Sequence, residues 1–162
     1  MEKISVLFVC TGNICRSPTA EAVFRRRIQQ AGLEHAFSAD SAGTHDFNLG
    51  SAPDMRAKAA ADHRGYGMEG MHARQVTMDD FETFNFILVM DKGNLAILKK
   101  ACPPESLHKL TLVTQFSSNY PGWEIPDPYS GDSLAFERVL NMLEDAVEGL
   151  IKCLSRQLES RV

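Results

Sequence analysis

The stretch ISVLFVCTGNICRSP, Ile4–Pro18, decides how this chain is interpreted. Its first six residues are mostly β-favouring and too few for a helix, so they predict a buried parallel strand that ends at Cys10. Further on, Ser17 is a good N-cap, Pro18 suits the first helical position, and residues 20–28 repeat apolar side chains at helical spacing. The stretch therefore predicts a strand, a short loop and a helix.

The loop carries side chains suited to a phosphate-sized anion. Backbone N–H groups at the amino end of a helix lack internal partners, and the helix dipole is positive there. Cys10 would lie in this field, close to the charge of Arg16 and the hydroxyl of Ser17, so a reactive thiolate is expected. The planar guanidinium of Arg16 can also hold two phosphate oxygens at once. Gly12 and Asn13 suit such a loop because both tolerate positive φ.

Plainer interpretations of these residues compete with an anion site. A single cysteine at a strand end is usually a small buried hydrophobe. Cys10 and Cys15 could form half of a metal site, but no second Cys or His pair follows at ligand spacing. A dinucleotide-binding fold would need Gly-x-Gly-x-x-Gly after the first strand, which this chain lacks. The combination of Cys, Gly, Asn, Arg and Ser in one loop favours the anion site.

The rest of the sequence predicts a doubly wound α/β fold. Further strands are predicted at residues 37–41, 86–90 and 110–113, and further helices at residues 54–63, 77–82, 94–101 and 133–158. Alternating strands and helices require a parallel sheet, here of four strands, with right-handed crossovers and helices on both faces. With 162 residues and 44% hydrophobic content, the chain is expected to form a single domain over residues 1–162. Residues 117–132 form a long Pro- and Gly-rich loop, which predicts a functional segment.

Composition restricts the environment and the partners of the chain. A formal net charge of −4 argues against general nucleic-acid binding. Neither a signal peptide nor a membrane span is predicted, because Met1-Glu2-Lys3 runs directly into a six-residue strand. The four cysteines are then expected to be reduced thiols, with Cys102 and Cys153 structural, and the location is expected to be cytoplasmic.

Over nearly its whole length, the chain resembles the low-molecular-weight protein tyrosine phosphatases. The resemblance rests on the loop Cys-x5-Arg-Ser near the N-terminus, on Ser41-Ala42-Gly43-Thr44, Ala73-Arg74-Gln75-Val76, Met90-Asp91 with Asn94-Leu95, and Ile125-Pro126-Asp127-Pro128-Tyr129. The loop alone is shared with arsenate reductases. The Asp-Pro-Tyr segment makes the resemblance specific to the phosphatases.

The resemblance implies a mechanism for these residues. Cys10 would attack phosphorus, Asp127 would protonate the departing tyrosyl oxygen, and water would then hydrolyse a phosphocysteine intermediate with Asp127 as base. Arg16 would bind the phosphoryl oxygens throughout, together with the loop residues Thr11, Gly12, Asn13, Ile14, Cys15 and Ser17. Supporting roles are implied for Ser41, as a partner of Asn13, and for Asp91. No metal or organic cofactor is implied.

The resemblance also implies a substrate class. Phe47 and Tyr129 would form a slot for a flat ring, which favours phosphotyrosine. Related arginine phosphatases resemble this chain but carry Thr where Ile14 stands, so Ile14 points to phosphotyrosine as well. The implied partners are phosphotyrosine-containing proteins and, by analogy with bacterial relatives, a cognate tyrosine kinase. A monomer or weak dimer is expected.

The sequence departs from the family pattern at two places. Met71 stands where the family often has His, with His72 next to it, so no role is assigned to His72. Ser130 stands where a second Tyr is frequent, so one aromatic wall of the pocket is expected to be missing.

Two other functions and one modification stay open from the sequence. An arsenate reductase would need two further cysteines close together, whereas Cys102 and Cys153 are far apart. A silent phosphate-binding module would be expected to lack Cys10 or Asp127, and both are present. Cys15 is either a buried small side chain or the partner of Cys10 in a reversible disulfide.

Overall fold

The computed structural model describes residues 2–161, which contain a four-stranded, all-parallel sheet. The strands are β1 (Ile4–Cys10), β2 (Phe37–Gly43), β3 (Phe86–Val89) and β4 (Leu110–Leu112). Their spatial order is β2-β1-β3-β4, so the chain reverses direction across the sheet at β1. In open α/β sheets, ligands bind outside the carboxyl ends of the strands at this switch point. Cys10 lies at that point, at the end of β1.

Helices flank the sheet and begin at recognisable caps. They are α1 (Arg16–Gln30), α2 (Met55–His63), α3 (Met78–Thr83), α4 (Lys92–Ala101) and α5 (Ser133–Ser160), with 3₁₀ turns at Pro104–Lys109 and Val113–Phe116. The side chains of Asp54, Asp91 and Asp132 each accept a backbone N–H at the start of a helix. Thr77 and Asp80 form a capping box for α3.

Both faces of the sheet are buried, which explains the continuous apolar run of β1. Phe8 packs with residues of α1 and α5 on one face, among them Phe24 and Leu143. Leu7 and Val9 pack with residues of α3 and α4 on the other face. The alternation follows from the opposite directions of neighbouring side chains in a strand. The predicted doubly wound parallel sheet is confirmed.

Among residues 2–161, no helix combines the length and the apolar character that crossing a membrane requires.

The predicted start of the first helix is wrong. The sequence predicted Ser17 as the N-cap, but α1 begins at Arg16, and its N-cap residue is Cys15, which makes no side-chain capping bond. The Ser17 hydroxyl instead lies 3.0 Å from the Cys10 sulfur and donates to the Ala42 carbonyl at 3.3 Å. The Ser17 hydroxyl therefore bonds to Cys10 and Ala42 and does not cap the helix.

Gly149, in the second half of α5, is required by close packing. A Cβ atom at Gly149 would lie 1.7 Å from the carbonyl oxygen of Phe116 and 2.8 Å from its carbonyl carbon. Helix propensity alone would make Gly149→Ala stabilising by about 1 kcal/mol. We expect the opposite, a loss of about 3 kcal/mol in the free energy of unfolding, because α5 must move away from a backbone segment.

Urea denaturation measures this free energy of unfolding. Gln157→Ala, on the exposed face of the same helix, is the matched control and is expected to change it by less than about 0.5 kcal/mol. A Gly149→Ala variant as stable as the wild type would contradict the packing argument.

Candidate active site

Cys10 lies at the carboxyl end of β1 and is only 3% exposed. Its sulfur lies 3.0 Å from the Ser17 hydroxyl oxygen and accepts the backbone N–H of Asn13 at 3.3 Å. As a thiolate the sulfur has only acceptor capacity, so the Ser17 hydroxyl would then donate to it. We call residues 10–17 the phosphate loop, and residues 117–132 the Asp127 loop.

Asn13 fixes the shape of the phosphate loop. Its φ of 58° lies in the left-handed region, as its residue type allows. Its side-chain amide donates to the Ser17 hydroxyl at 2.8 Å and to the Ser41 hydroxyl at 3.0 Å. Its side-chain oxygen accepts the backbone N–H of Arg74 at 3.0 Å. The loop is thus tied to β2 and to the segment before α3.

Gly12 has a different role from the one predicted. Gly12 and Asn13 were both expected to suit the loop because they tolerate positive φ, but Asn13 is the residue of the phosphate loop that adopts it. A Cβ atom at Gly12 would instead lie 2.5 Å from the side-chain nitrogen of Asn48. That nitrogen donates to the Gly12 carbonyl at 3.2 Å, so a side chain at position 12 would displace the Asn48 amide.

Arg16 is almost fully buried and is held on one side by protein groups. Its Nη1 donates to the Asp91 carboxylate at 2.7 Å and to the Ile125 carbonyl at 2.9 Å. Asp91 is fixed in turn, because its other oxygen accepts the Asn94 backbone N–H at 2.8 Å. The Nη2 atom lies 3.4 Å from the Thr11 hydroxyl. The guanidinium is therefore oriented before any anion arrives, and Arg16 also lines the cleft.

Backbone donors add to this charge. Within residues 2–161, the N–H groups of Gly12, Ile14, Cys15 and Arg16 have no hydrogen-bond acceptor. Such groups at the amino end of a helix are donors for an anion.

Asp127 lines the same cleft, although it is far from the phosphate loop in sequence. Its side chain is 56% exposed, and one carboxylate oxygen lies 3.9 Å from Arg16 Nη2. The other oxygen accepts the backbone N–H of Tyr129 at 3.1 Å. The start of this segment is anchored by Ile125, which is fully buried and whose N–H donates to the Met90 carbonyl at 2.9 Å.

These side chains meet in one cleft of about 340 Å³. It is lined by Cys10, Thr11, Gly12, Ile14, Cys15, Arg16, Phe47, Asn48, Asp127 and Tyr129. Phe47 and Tyr129 are 70% and 57% exposed, so both present aromatic surface to solvent. The rings of His45 and Phe47 are stacked, with centroids 4.7 Å apart and an interplanar angle of 17°.

Some predicted residues support the cleft without lining it. Asn13 and Ser17 were grouped with the phosphate-binding residues, but their side chains are buried and bond to protein groups. Ser41 and Asp91 also lie behind the cleft, as partners of Asn13 and Arg16. His72 is exposed, with Nδ1 3.3 Å from the Gly50 carbonyl.

Sequence reasoning missed three residues of the site. Asn48 lines the cleft, Arg74 binds Asn13, and Arg56 binds the Asp127 loop. The guanidinium of Arg74 also pairs with Asp40 and Asp80 at 3.1 and 2.9 Å. Arg74 lies in the motif Ala73-Arg74-Gln75-Val76, whereas no motif that the sequence analysis used contains Asn48 or Arg56.

Cys15 differs from Cys10 in its surroundings. It packs in a small apolar cluster with Ala57 and Phe136. Burial raises the pKa of the Cys15 thiol to about 12, and the nearby charge of Asp54 adds to the effect. Because only the thiolate is alkylated, we expect Cys15 in a Cys10→Ser variant to resist iodoacetamide at pH 7 and to react faster as the pH approaches 12.

Peptide mass mapping after timed alkylation checks this expectation, with the urea-unfolded chain as the fully reactive control. Labelling of Cys15 at pH 7 as fast in the folded protein as in the unfolded chain would contradict it.

The chain is similar in sequence to known proteins. Residues 5–160 match the model of a family described as low molecular weight phosphotyrosine protein phosphatase. A low molecular weight protein-tyrosine-phosphatase of Streptomyces coelicolor is 41% identical over 159 residues, 96% of each chain. A low molecular weight phosphotyrosine protein phosphatase of Gallus gallus is 40% identical over 157 residues, 96% of this chain and 94% of the relative.

Solved structures share the architecture. The crystal structure of a protein tyrosine phosphatase from Entamoeba histolytica, with Hepes in its active site, superposes with a TM-score of 0.92 at 39% identity. The match covers 96% of this chain and 99% of the other.

Proposed function

The chain belongs to the low molecular weight phosphotyrosine protein phosphatase family, which uses a cysteine nucleophile, and we propose that Cys10, Arg16 and Asp127 carry its reaction. The observation that supports these assignments is that all three side chains line one cleft, although Asp127 is far from Cys10 and Arg16 in sequence. Their chemical types are those that phosphate ester hydrolysis through a covalent intermediate requires.

In the first step, the Cys10 thiolate attacks phosphorus as the bond to the tyrosyl oxygen breaks. Asp127 gives its proton to that oxygen, so that a neutral phenol leaves. Solvent exposure of Asp127 suits this role, because its carboxyl must contact both the phenol that departs and the water that replaces it. The products of this step are tyrosine and a phosphocysteine at position 10.

In the second step, water attacks phosphorus and the bond between phosphorus and sulfur breaks. Asp127, now ionised, takes a proton from the water. The Ser17 hydroxyl, 3.0 Å from the sulfur, stabilises the departing thiolate. In both steps, Arg16 and the backbone donors of the phosphate loop stabilise the charge on the three equatorial oxygens.

Phosphotyrosine selectivity follows from the walls of the cleft. Phe47 and Tyr129 flank it with aromatic surface, and Ile14 adds an apolar side chain. A flat ring can pack against such walls, whereas the short side chain of phosphoserine cannot reach Cys10 while making these contacts.

Matched peptides that carry phosphotyrosine, phosphoserine or phosphoarginine test this selectivity. We expect phosphate release from the phosphotyrosine peptide alone. Phe47→Ala is expected to raise KM for that peptide with a smaller change in kcat, because it removes binding surface that does not react. Turnover of phosphoarginine at a similar rate would contradict the assignment. Arsenate reduction with no ester hydrolysis would favour the reductase instead.

We also propose that residues 1–162 act as one catalytic domain, in the cytoplasm, as a monomer or weak dimer. The four cysteines are free thiols in the structure, the state that a reducing compartment would maintain. A tyrosine kinase must supply the substrates, because phosphotyrosine arises by phosphoryl transfer to tyrosine. Size-exclusion chromatography with light scattering tests the oligomeric state.

A further inference from the structure

Arg56, at the start of α2, binds the backbone of the Asp127 loop. Its Nη2 donates to the Tyr129 carbonyl at 2.8 Å, and its Nη1 donates to the Gly131 carbonyl at 3.4 Å. The same Tyr129 gives its backbone N–H to the Asp127 carboxylate at 3.1 Å. Arg56 therefore binds the backbone carbonyl of Tyr129, and Asp127 binds the backbone N–H of the same residue.

The guanidinium of Arg56 also contacts two aromatic rings. Its Cζ atom lies 5.5 Å from the centroid of the Tyr129 ring and 4.8 Å from that of Phe136. Both distances allow cation–π attraction. Phe136 lies in the first turn of α5, so Arg56 contacts the Asp127 loop and also the helix that follows it.

Asp54 fixes Arg56 and connects it to the phosphate loop. Its two carboxylate oxygens accept Nε at 3.1 Å and Nη2 at 3.0 Å, a bidentate pair. The hydrogen bonds from Arg56 lower the pKa of the Asp54 carboxyl. The backbone N–H of Asp54 donates to the Ile14 carbonyl, in the phosphate loop, at 2.8 Å. A continuous chain of bonds thus joins the phosphate loop to the Asp127 loop.

The exposure of Asp127 makes this chain of bonds significant. With a side chain 56% exposed, Asp127 is not held by burial, and its nearest cation, Arg16 Nη2, is 3.9 Å away. Its position is therefore set mainly by the backbone on either side of it. Ile125 anchors the segment before Asp127, and Arg56 anchors the segment after it.

We propose that Arg56 is a positioning residue for the general acid, which holds residues 127–129 so that the Asp127 carboxyl lies above Cys10. This inference rests on the proposed function. It predicts that loss of Arg56 impairs proton donation to the leaving group and leaves attack by Cys10 largely intact.

A series of aryl phosphates separates these two effects. Dinitrophenolate departs without a proton, whereas phenolate needs one, so only phenyl phosphate depends strongly on the acid. For Arg56→Ala we expect kcat/KM to fall about tenfold or more with phenyl phosphate and less than about twofold with dinitrophenyl phosphate. In an Asp127→Ala background, the further change Arg56→Ala is expected to have no additional effect, because the group it positions is gone.

Lys58→Ala is the matched control. Lys58 is a cation on the same helix, but it pairs with Asp62 and Glu69 and not with the Asp127 loop. Its removal is expected to leave kcat/KM unchanged across the series. Arg56→Lys keeps the charge without the bidentate pair, and it should show the same leaving-group dependence in milder form even if Arg56→Ala folds poorly.

Three results would overturn the inference: an equal loss with both esters, no loss with either, or an additive loss in the Asp127→Ala background. Wild-type protein that hydrolyses none of the esters would overturn the proposed function together with it. The two failures are thus distinguished by the wild-type measurement.

Discussion

A Cys10→Ser variant is expected to lose activity on phosphotyrosine peptides by about 10⁴-fold or more. A serine hydroxyl is not ionised at neutral pH, and the few hydrogen-bonding groups around position 10 do not include a general base for it. The variant should fold normally, since oxygen replaces sulfur with little change of shape in a buried site. Phosphate release under single-turnover conditions is the measurement.

Binding provides the control for this variant. The Arg16 guanidinium and the free N–H groups of the phosphate loop do not depend on the sulfur, so inorganic phosphate should still bind. Calorimetric titration of phosphate into the variant checks this expectation. Activity within about tenfold of the wild type would show that Cys10 is not the nucleophile.

An Asp127→Ala variant is expected to show the second largest loss, about 10²- to 10³-fold in kcat/KM for a phosphotyrosine peptide. The loss arises because the tyrosyl oxygen would have to leave as an anion. With dinitrophenyl phosphate the loss should be far smaller, since that leaving group does not need a proton. Stopped-flow measurement of phenol release with both substrates gives the comparison.

Ser130→Ala is the matched control for Asp127→Ala. Ser130 lies in the same loop, is exposed and does not line the cleft. Its removal is expected to change kcat/KM less than about twofold, within the range of surface substitutions. An Asp127→Ala variant that loses activity equally with good and poor leaving groups would argue for a structural role of Asp127.

Much of the fold could be predicted because its signals are local. The continuous apolar run of β1 indicates a strand that is buried on both faces of the sheet. Asp54 and Thr77 indicate helix starts, because their side chains cap the helices that follow. Ser17 is also a residue type that favours helix starts, but the prediction that it caps α1 was wrong, because its hydroxyl bonds to Cys10 and Ala42 instead. The phosphate loop thus overrode an ordinary capping preference where the site needed the hydroxyl.

The site could be predicted only in part because its contacts join distant segments. Arg56 binds a carbonyl 73 residues further along the chain, and Arg74 binds Asn13 across 61 residues. No local pattern records such a partner. Asp127 alone would be an ordinary turn residue between two prolines. Its place beside Cys10 depends on how Ile125 docks under Arg16, which only the fold reveals.

The most direct test of the account is capture of the covalent intermediate. In the Asp127→Ala variant, dinitrophenyl phosphate should phosphorylate the enzyme readily, while hydrolysis of the intermediate lacks its base. After rapid denaturation and cleavage at Lys3 and Arg16, fragmentation of the peptide Ile4–Arg16 locates the added group. We predict the mass of one phosphoryl group on Cys10. Phosphorylation of a different residue, or turnover with no phosphorylated protein at any time, would contradict the account.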